Sequence, residues 1–311
     1  MSGSVVALSG GVGGAKLALG LSRVLPPDAL TVIANTGDDF EHLGLSICPD
    51  VDTLTYALAG LDNPATGWGR RDETWSFMES VKALGGEDWF RLGDRDLAVH
   101  VERTRRLRSG ETLSAITADF ARRLGIGARI LPMSDDRVRT RVLSEQGWID
   151  FQDYFVRQQC RPVVRELKFE GAPASKPAPG VIEALHAAHA IVICPSNPFI
   201  SIEPILAVPG IREAIRAGGA PVVAVSPIIG GKAVKGPTAK MMAELGMAAT
   251  ALGVAQRYGD MLGGYVVEHE DEASVAGIAA RITATKTLML SLEDREALAR
   301  TVLAAADAIR R

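Results

Sequence analysis

Short apolar runs alternate with amphipathic stretches along most of this 311-residue chain. The first run, residues 5–8, is typical of a strand that is buried on both faces. A glycine-rich stretch follows it, and Leu17 and Leu21 then stand at helical spacing ahead of a second apolar run, 30–34. Strand, glycine turn, helix and strand form a βαβ unit, and the crossover of such a unit in a parallel sheet is almost always right-handed.

The same alternation returns in the second half of the chain. Apolar runs at 190–194, 221–225 and 264–267 predict three further strands, the last of them the final strand of the sheet. Amphipathic stretches predict helices at 181–187, 211–217, 239–245 and 292–309. Together these elements predict an α/β fold with a Rossmann-like, mostly parallel sheet sandwiched by helices.

The pattern changes between residues 63 and 124, where apolar strand runs give way to three successive helical stretches, 75–84, 97–107 and 113–124. This segment is interpreted as a helical insertion at one edge of an α/β core that comprises 1–62 and 125–311. After the insertion, short strands are predicted at 129–131, 138–144 and 148–151, the last two forming a hairpin.

Composition and charge limit the classes of partner. Hydrophobic residues make up 47% of the chain and charged residues 23%, which leaves ample apolar material for a core. The net charge of -3 argues against a nucleic-acid-binding surface, which needs a clustered excess of Lys and Arg. One stretch is locally basic, with Arg103, Arg105, Arg106 and Arg108. A charge run of this kind is typical of a solvated helix face.

Cysteine spacing and hydropathy bear on the compartment. Cys48, Cys160 and Cys194 are far apart and match no zinc spacing, so they are predicted to be reduced thiols of a cytosolic protein. The N-terminus has no signal-peptide pattern, and a run of ~18 apolar residues occurs nowhere. The protein is therefore expected to be cytoplasmic, without a membrane or nucleic-acid partner.

Residues 9–16, Ser-Gly-Gly-Val-Gly-Gly-Ala-Lys, carry the first functional argument. A glycine loop between a strand and a helix presents backbone N–H groups to a phosphate, and the helix N-terminus adds partial positive charge. This is not a Walker loop, because Ala15 and Leu17 flank Lys16. It is not a dinucleotide fingerprint either, since Lys16 stands where glycine is required and Ala34 ends the second strand where an acidic residue is required.

Two acidic loops are expected to lie beside the glycine loop, because ligands collect at the carboxyl ends of the strands in an open parallel sheet. Residues 35–39, Asn-Thr-Gly-Asp-Asp, follow the second strand, and 48–53, Cys-Pro-Asp-Val-Asp-Thr, come shortly afterwards. Two acidic pairs suit Mg²⁺, which proteins hold with one or two carboxylates while water and substrate phosphates complete the shell. The alternative is turn formation and capping, with Asp52 or Thr53 capping the next helix.

Two loops after the later strands are rigid and polar. In 195–202, two prolines bracket Ser196 and Asn197. The segment 226–231 combines Gly and Pro, and Lys235 after it is able to face a phosphate or a carboxylate. A plain connector tolerates almost any polar residue, so loops this particular are predicted to bind a ligand.

The helical insertion contains an aromatic and charged segment, 89–96. An aromatic acceptor would stack on such a lip, whereas the alternative is a capped helix start with surface salt bridges. His100 follows four residues after Asp96 on a predicted helix. A single histidine in a helix is usually a structural residue, so it is left out of the catalytic set.

Taken together, these segments resemble one family, the 2-phospho-L-lactate transferases, which is the CofD family of deazaflavin coenzyme F-420 biosynthesis. The resemblance runs from residue 5 to about residue 260. It is carried in family order by residues 9–14 of the glycine loop and by 35–39, 48–53, 92–96, 131–136, 195–198 and 226–230. The family often has Thr where Val12 stands here, which leaves the backbone amides as the phosphate-binding groups.

The resemblance implies transfer of a phosphoester-linked acid from a guanosine diphosphate donor, with lactate, enolpyruvate or glycerate as the acid. The acceptor is the ribityl hydroxyl of 7,8-didemethyl-8-hydroxy-5-deazariboflavin, and GMP is released. The resemblance also implies Mg²⁺, a homodimer, and an insertion, 63–124, that covers the acceptor site. The alternative is a regulatory protein of the same fold that binds a nucleotide sugar without transfer chemistry. Asp52 and segment 89–96 favour the transferase, because a nucleotide sensor needs no acceptor pocket.

On this resemblance, each candidate residue is assigned a role. Asp38 and Asp50 are expected to hold Mg²⁺, and Asp50 and Asp52 form the catalytic pair, in which Asp52 orients or deprotonates the acceptor hydroxyl. Asp52, Trp89 and Arg91 are expected to contact the deazaflavin. The nucleotide and its phosphates are assigned to Gly10, Gly11, Gly13, Gly14, Ser196, Asn197, Ser226 and Gly230.

Overall fold

The computed structural model describes residues 3–234 and 236–310, so Lys235 lies outside the described residues. The strands are β1 Val5–Ser9, β2 Leu30–Ala34, β3 Phe40–His42, β4 Leu45–Ile47, β5 Arg129–Pro132, β6 Arg139–Ser144, β7 Gly147–Asp150, β8 Glu166–Glu170, β9 Ala190–Ile193, β10 Val222–Val225, β11 Ile228–Ile229, β12 Lys232–Ala233, β13 Gly264–Val267 and β14 Arg281–Ala284. The helices are α1 Gly11–Val24, α2 Pro49–Leu58, α3 Ser76–Ala83, α4 Asp94–Arg108, α5 Leu113–Arg123, α6 Val181–His186, α7 Glu203–Leu206, α8 Ile211–Ala217, α9 Thr238–Glu244, α10 Ala251–Tyr258 and α11 Leu292–Arg310.

Seven parallel strands form the central sheet in the order β14-β13-β10-β9-β1-β2-β5. Helices cover both faces, because successive side chains of a strand point to opposite sides. In β1, Val5 and Ala7 pack with the apolar residues of α1 and α11, whereas Val6 and Leu8 pack with those of α6 and α8. The predicted α/β fold with a parallel, Rossmann-like sheet is confirmed.

Sheet edges and short hairpins account for the elements that the sequence pattern missed. The strand at 264–267 was predicted to be the last, but β14 pairs with it in parallel and extends the edge of the sheet. All four side chains of β14 are at least partly exposed, and its sequence therefore lacks the apolar run that identifies a buried strand. The hairpin of β6 and β7 is confirmed, and β8 joins it as a third antiparallel strand. The short hairpin of β3 and β4 was also missed.

The start of α2 differs from the prediction that Asp52 or Thr53 caps this helix. The helix begins at Pro49 with Cys48 at the N-cap position, so both residues lie inside it. Proline is favoured at the first helical position because its fixed φ suits the helix and its missing N–H costs nothing there. The carboxylates of Asp50 and Asp52 therefore belong to the first turn, where the helix dipole favours negative charge.

Between α2 and β5 the three predicted helices are present as α3, α4 and α5. Of these helices, α5 packs against β5, and its Leu113 and Ala121 join Ile130 in the apolar layer that also contains α1. The bounds of the insertion, 63–124, remain a prediction. None of the helices in the described part of the chain combines the length and hydropathy that a bilayer span requires. Cys48, Cys160 and Cys194 are free thiols.

Candidate active site

A cavity of about 630 Å³, called here the main cavity, opens at the carboxyl ends of β1 and β9. The strand order reverses between these two strands, since the chain runs from β1 to β2 and β5 on one side and returns through β9 to β10 on the other. A crevice at such a reversal is the usual ligand site of an open α/β sheet. Gly10 and Pro195, which follow β1 and β9, both line it.

Glycines of the loop 9–16 allow neighbouring loops to approach closely. A Cβ on Gly13 would lie 2.4 Å from the backbone oxygen of Pro195, and one on Gly10 would lie 2.6 Å from Oδ2 of Asp50. Gly11 has a φ of +65°, which other residues rarely adopt, and a Cβ there would meet open space. The loop thus needs glycine both for packing and for an open approach to the first turn of α1.

Gly14 and Lys16 occupy different places from the other residues of the loop. Gly14 lies beneath the loop, where a Cβ would be 2.3 Å from Oγ of Ser9, and it does not line the main cavity. Lys16 lines the cavity, and its Nζ donates a hydrogen bond of 2.8 Å to the backbone oxygen of Met289. The lysine therefore ties the first helix to the segment that precedes α11.

Asp50 connects the glycine loop to the loops that follow β2 and β9. Its Oδ1 accepts a hydrogen bond of 2.7 Å from the backbone N–H of Gly11, and its Oδ2 accepts one of 2.8 Å from Nδ2 of Asn35. The same Nδ2 donates to the backbone oxygen of Ile200 at 3.1 Å. One buried carboxylate and one buried amide thus hold three loops in register.

Asp38 and Asp50 are buried carboxyls on the wall of the main cavity. Burial raises the pKa of Asp50 to about 6, although its hydrogen bonds from Asn35 and Gly11 act in the opposite direction. Burial, reinforced by the neighbouring Asp50 carboxylate, raises the pKa of Asp38 well above its usual value. Oδ1 of Asp38 has no hydrogen-bond partner among the described residues. Two close carboxyls with a free oxygen suit a hard divalent cation.

Asp52 is paired with a buried arginine from the helical insertion. Nη1 of Arg103 donates to Oδ2 of Asp52 at 3.0 Å, and Nη2 contacts Oδ1. Arg103 is only 1% exposed. The interpretation of this arginine run as a solvated face is therefore wrong for Arg103, while Arg105 and Arg108 are exposed as expected. A buried carboxylate requires such a partner, and the arginine that points inward from α4 provides it for Asp52.

His100 lies between two carboxylates of the same cluster. Its Nδ1 is 3.6 Å from Oδ2 of Asp52, and its Nε2 is 3.2 Å from Oδ2 of Asp96. Tyr56 donates a hydrogen bond to Asp96. Because Asp96, His100 and Arg103 are four and three residues apart on α4, they share one helix face, and this spacing was the signal that could have identified the cluster.

The aromatic lip predicted at 89–96 contributes Trp89, Phe90, Arg91 and Asp96 to the wall of the main cavity. Trp89 packs against His42, with ring centroids 5.1 Å apart, and the guanidinium of Arg157 lies 4.6 Å from the Trp89 ring. Arg91 stacks at 4.0 Å on Trp75. Trp89 and Arg91 both line the cavity together with Asp52, so the three residues assigned to the acceptor are brought to one space.

Ser196 and Asn197 line the main cavity and also stabilise its wall. Oγ of Ser196 donates to the backbone oxygen of Gly10 at 2.8 Å, which joins the loops after β1 and β9. Oδ1 of Asn197 accepts hydrogen bonds from the backbone N–H groups of Phe199 and Ile200, at 2.9 and 3.4 Å. Both side chains therefore have a structural role besides the nucleotide contact that the sequence predicts.

Ser226 and Gly230 differ in their access to the cavity. Ser226 lines it, and its Oγ donates to the backbone oxygen of Ile228 at 3.1 Å. Gly230 does not line it, and its N–H donates to Oδ2 of Asp271 at 2.9 Å. Residues that the sequence did not indicate complete the lining, among them Trp68 of the insertion and Leu288 before α11.

Comparison with known proteins identifies the family. The family model of the 2-phospho-L-lactate transferase CofD matches residues 5–305. The chain belongs to this family. The resemblance seen in the sequence is thereby confirmed, and so is the expectation that the protein is an enzyme of the transferase class.

Relatives of this CofD-family chain carry a more specific name. A phosphoenolpyruvate transferase of Kitasatospora aureofaciens is 48% identical, covering 98% of each chain. A phosphoenolpyruvate transferase of Streptomyces griseus is 44% identical, covering 98% of this chain and 99% of its own. The enzyme of that name from Thermobifida fusca is 43% identical over 89% of this chain and 90% of its own.

A solved structure shares the fold at low sequence identity. A member of the UPF0052 family from Bacillus halodurans superimposes with a TM-score of 0.63 and is 16% identical, covering 97% of this chain and all of its own. At this identity the likeness concerns the fold alone. It agrees with the parallel sheet flanked by helices that is described above.

Proposed function

We propose that this CofD-family transferase moves a phosphoenolpyruvyl group from a guanosine diphosphate-linked donor to the ribityl hydroxyl of 7,8-didemethyl-8-hydroxy-5-deazariboflavin. GMP leaves, and the product is the deazaflavin coenzyme F-420 precursor without glutamates. Enolpyruvate is favoured over lactate and glycerate because the relatives are phosphoenolpyruvate transferases. One observation carries the proposal: the glycine loop, the paired carboxyls and the aromatic lip line a single cavity.

The donor diphosphate would bind at the glycine loop. Gly11, Val12 and Gly13, in the first turn of α1, line the cavity, and the dipole of this 14-residue helix favours an anion there. The nucleoside would extend toward Ser196 and Ser226, whose loops follow β9 and β10.

Asp38 and Asp50 fit Mg²⁺, since their oxygens are hard ligands, both are buried, and Oδ1 of Asp38 is not otherwise bound. When bound, Mg²⁺ neutralises charge on the diphosphate. The chain itself holds Asp50 in place through its hydrogen bonds with Gly11 and Asn35.

Asp52 would orient the acceptor hydroxyl and receive its proton. The two hydrogen bonds from Arg103 fix the carboxylate, and Trp89 on the lip offers an aromatic surface to the deazaflavin ring. Such a transfer depends mainly on positioning and charge neutralisation, because the attacking and leaving oxygens must lie in line with phosphorus. A rigid buried ion pair is suited to that task.

Mass spectrometry of the products tests the proposal directly. Guanosine diphosphate-linked enolpyruvate, lactate and glycerate are each incubated with the deazaflavin, Mg²⁺ and enzyme, and the enolpyruvyl product and GMP are expected in equal amounts. Asp52→Asn keeps the volume of the side chain and should lower kcat. Absence of product with all three donors, together with no fluorescence change on titration with the deazaflavin, would favour the nucleotide-sugar-binding alternative.

We also propose that the enzyme is a cytoplasmic homodimer, as the family resemblance implies. Sedimentation velocity of the purified full chain at several concentrations would give its mass in solution. A species of 32.9 kDa at all concentrations would contradict the dimer.

A further inference from the structure

Trp68 differs from the other aromatic residues that line the main cavity. It lies between α2 and α3, in the loop 61–71, and it is 50% exposed. Among the described residues its indole forms no contact with another ring or with a cation. The other phenylalanine, tyrosine and tryptophan residues of the lining each have such a contact, namely Tyr56, Trp89, Phe90, Phe151 and Phe155. The ring of Trp68 is therefore open to a ligand.

The backbone of this loop accounts for the exposed position of Trp68. The N–H of Arg71 donates to the backbone oxygen of Leu61 at 2.9 Å, which closes the loop. Gly67 and Gly69, on either side of the tryptophan, have φ values of +77° and +70°. Glycine adopts this left-handed conformation readily, so the chain turns both before and after Trp68. The loop is thus folded by its own backbone, without packing of the indole.

The loop 61–71 packs against the acceptor side of the main cavity. The guanidinium of Arg70 lies 5.6 Å from the centre of the Tyr56 ring. Tyr56 is one helical turn beyond Asp52 on α2, and it donates a hydrogen bond to Asp96 of the same cluster. The loops assigned to the nucleotide follow β9 and β10 instead. Trp68 therefore belongs with the residues that are assigned to the acceptor.

A half-exposed tryptophan in a cavity wall is suited to a planar ligand. Apolar surface in water is unfavourable, and a flat ring system that covers an indole removes much of this surface. Trp89 differs, because three aromatic side chains and the guanidinium of Arg157 already contact its ring. The proposed reaction brings two planar groups to the cavity, the guanine of the donor and the ring system of the deazaflavin. The place of Trp68 on the acceptor side favours the deazaflavin.

We propose that the indole of Trp68 stacks on the ring system of the deazaflavin acceptor. The ribityl chain then extends from Trp68 toward the buried Asp52, where its hydroxyl reacts. Stacking contributes affinity for a flat aromatic ligand and supplies no reacting group, so Trp68 acts in binding and not in the chemical step. This inference rests on the proposed function, and it adds a residue that binds the acceptor but not the donor.

Fluorescence titration of Trp68→Leu with the deazaflavin tests the inference. Leu keeps the position apolar and removes the aromatic face, so the Kd of the deazaflavin should rise roughly tenfold. The Kd of GDP, measured by calorimetry, should equal that of the wild type, because GDP has no deazaflavin ring. In assays with the enolpyruvate donor, the KM for the deazaflavin should rise, whereas kcat at saturating deazaflavin should change little.

Two further variants separate stacking from a general disturbance of the protein. Trp68→Phe retains a smaller aromatic ring and should recover part of the lost affinity. Trp148→Leu is the matched control, because Trp148 is 40% exposed and does not line the main cavity. Its Kd for the deazaflavin should equal that of the wild type.

Two results would overturn the assignment. A wild-type Kd of the deazaflavin in Trp68→Leu would show that the ring system binds elsewhere. A raised Kd of GDP with unchanged binding of the deazaflavin would show that the indole stacks on the guanine of the donor. Absence of deazaflavin binding by the wild type would instead refute the proposed function, so the two failures are distinguishable.

Discussion

Arg103 is the residue whose replacement tests the candidate acceptor site most sharply. Arg103→Met retains most of the side-chain volume and removes the guanidinium that donates to both oxygens of Asp52. The same guanidinium donates to the backbone oxygen of Ser46 at 3.3 Å, so that contact is lost as well. Met is apolar and offers no replacement for either hydrogen bond.

The expected loss of stability follows from burial. Arg103 is 1% and Asp52 6% exposed, so the variant leaves a carboxylate buried without its cation. Breaking a buried ion pair from one side costs about 3–5 kcal/mol. Such a loss is a large fraction of the stability of an ordinary domain. Reduced kcat should accompany it, because Asp52 is no longer held beside the acceptor.

Urea unfolding followed by circular dichroism measures the change in the free energy of unfolding. The double variant Asp52→Asn/Arg103→Met removes the unpaired charge, so it should be more stable than Arg103→Met alone. Arg105→Met is the control, because Arg105 lies two residues away, is exposed, and pairs with the partly exposed Glu102. Its stability should be close to that of the wild type.

The reasoning would be refuted if Arg103→Met lost no more stability than Arg105→Met. It would also be refuted if adding Asp52→Asn made the protein less stable still, because the cost would then come from packing and not from the unpaired carboxylate. Wild-type kcat in a folded Arg103→Met enzyme would separate this cluster from catalysis.

Three further predictions concern other parts of the site. Gly13→Ala places a Cβ 2.4 Å from the oxygen of Pro195 and should lower the free energy of unfolding by roughly 1–3 kcal/mol in urea titrations, whereas Gly127→Ala, where a Cβ meets no atom within 4 Å, should not. Burial raises the pKa of Asp39 from 3.8 to about 7, so between these pH values the folded protein keeps a proton that the unfolded chain releases. The free energy of unfolding should therefore fall as pH rises from about 4 to 7, and it should fall less in Asp39→Asn. Equal pH profiles of the two proteins would contradict the raised pKa of Asp39. Trp89→Ala should weaken deazaflavin binding roughly tenfold in fluorescence titrations without affecting GDP, and unchanged affinity would remove Trp89 from the acceptor site.

Buried strands were predictable because a strand that is covered on both faces must be apolar at nearly every position. β1, β2 and β9 are covered on both faces, so nearly every residue must be apolar, and a run of four or five such residues is enough to recognise each. β14 lies at the edge of the sheet and has polar residues among its four. Backbone pairing with β13 stabilises it, and this is a property of the neighbouring strand that the local sequence does not contain.

The convergence of loops was predictable for a similar reason. Parallel strands place their carboxyl ends on one edge, so polar residues after β1, β2 and β9 had to meet there. The partner of Asp52 was not predictable by this rule, because Arg103 comes from a helix 51 residues away and has three other arginines beside it. Only the packing of α4 against the site decides which arginine points inward.

The two carboxylates of α2 illustrate how one helical turn serves both halves of the site. Asp50 and Asp52 are two residues apart, which separates their side chains by about 200° around the helix axis. Asp50 accordingly faces the glycine loop, where it accepts the N–H of Gly11, and Asp52 faces the insertion, where it meets Arg103. Both nevertheless line the main cavity. The start of α2 therefore lies between the donor side and the acceptor side of the cavity. Because the helix begins at Pro49, both carboxylates belong to its first turn, and the helix holds them apart more rigidly than a loop would.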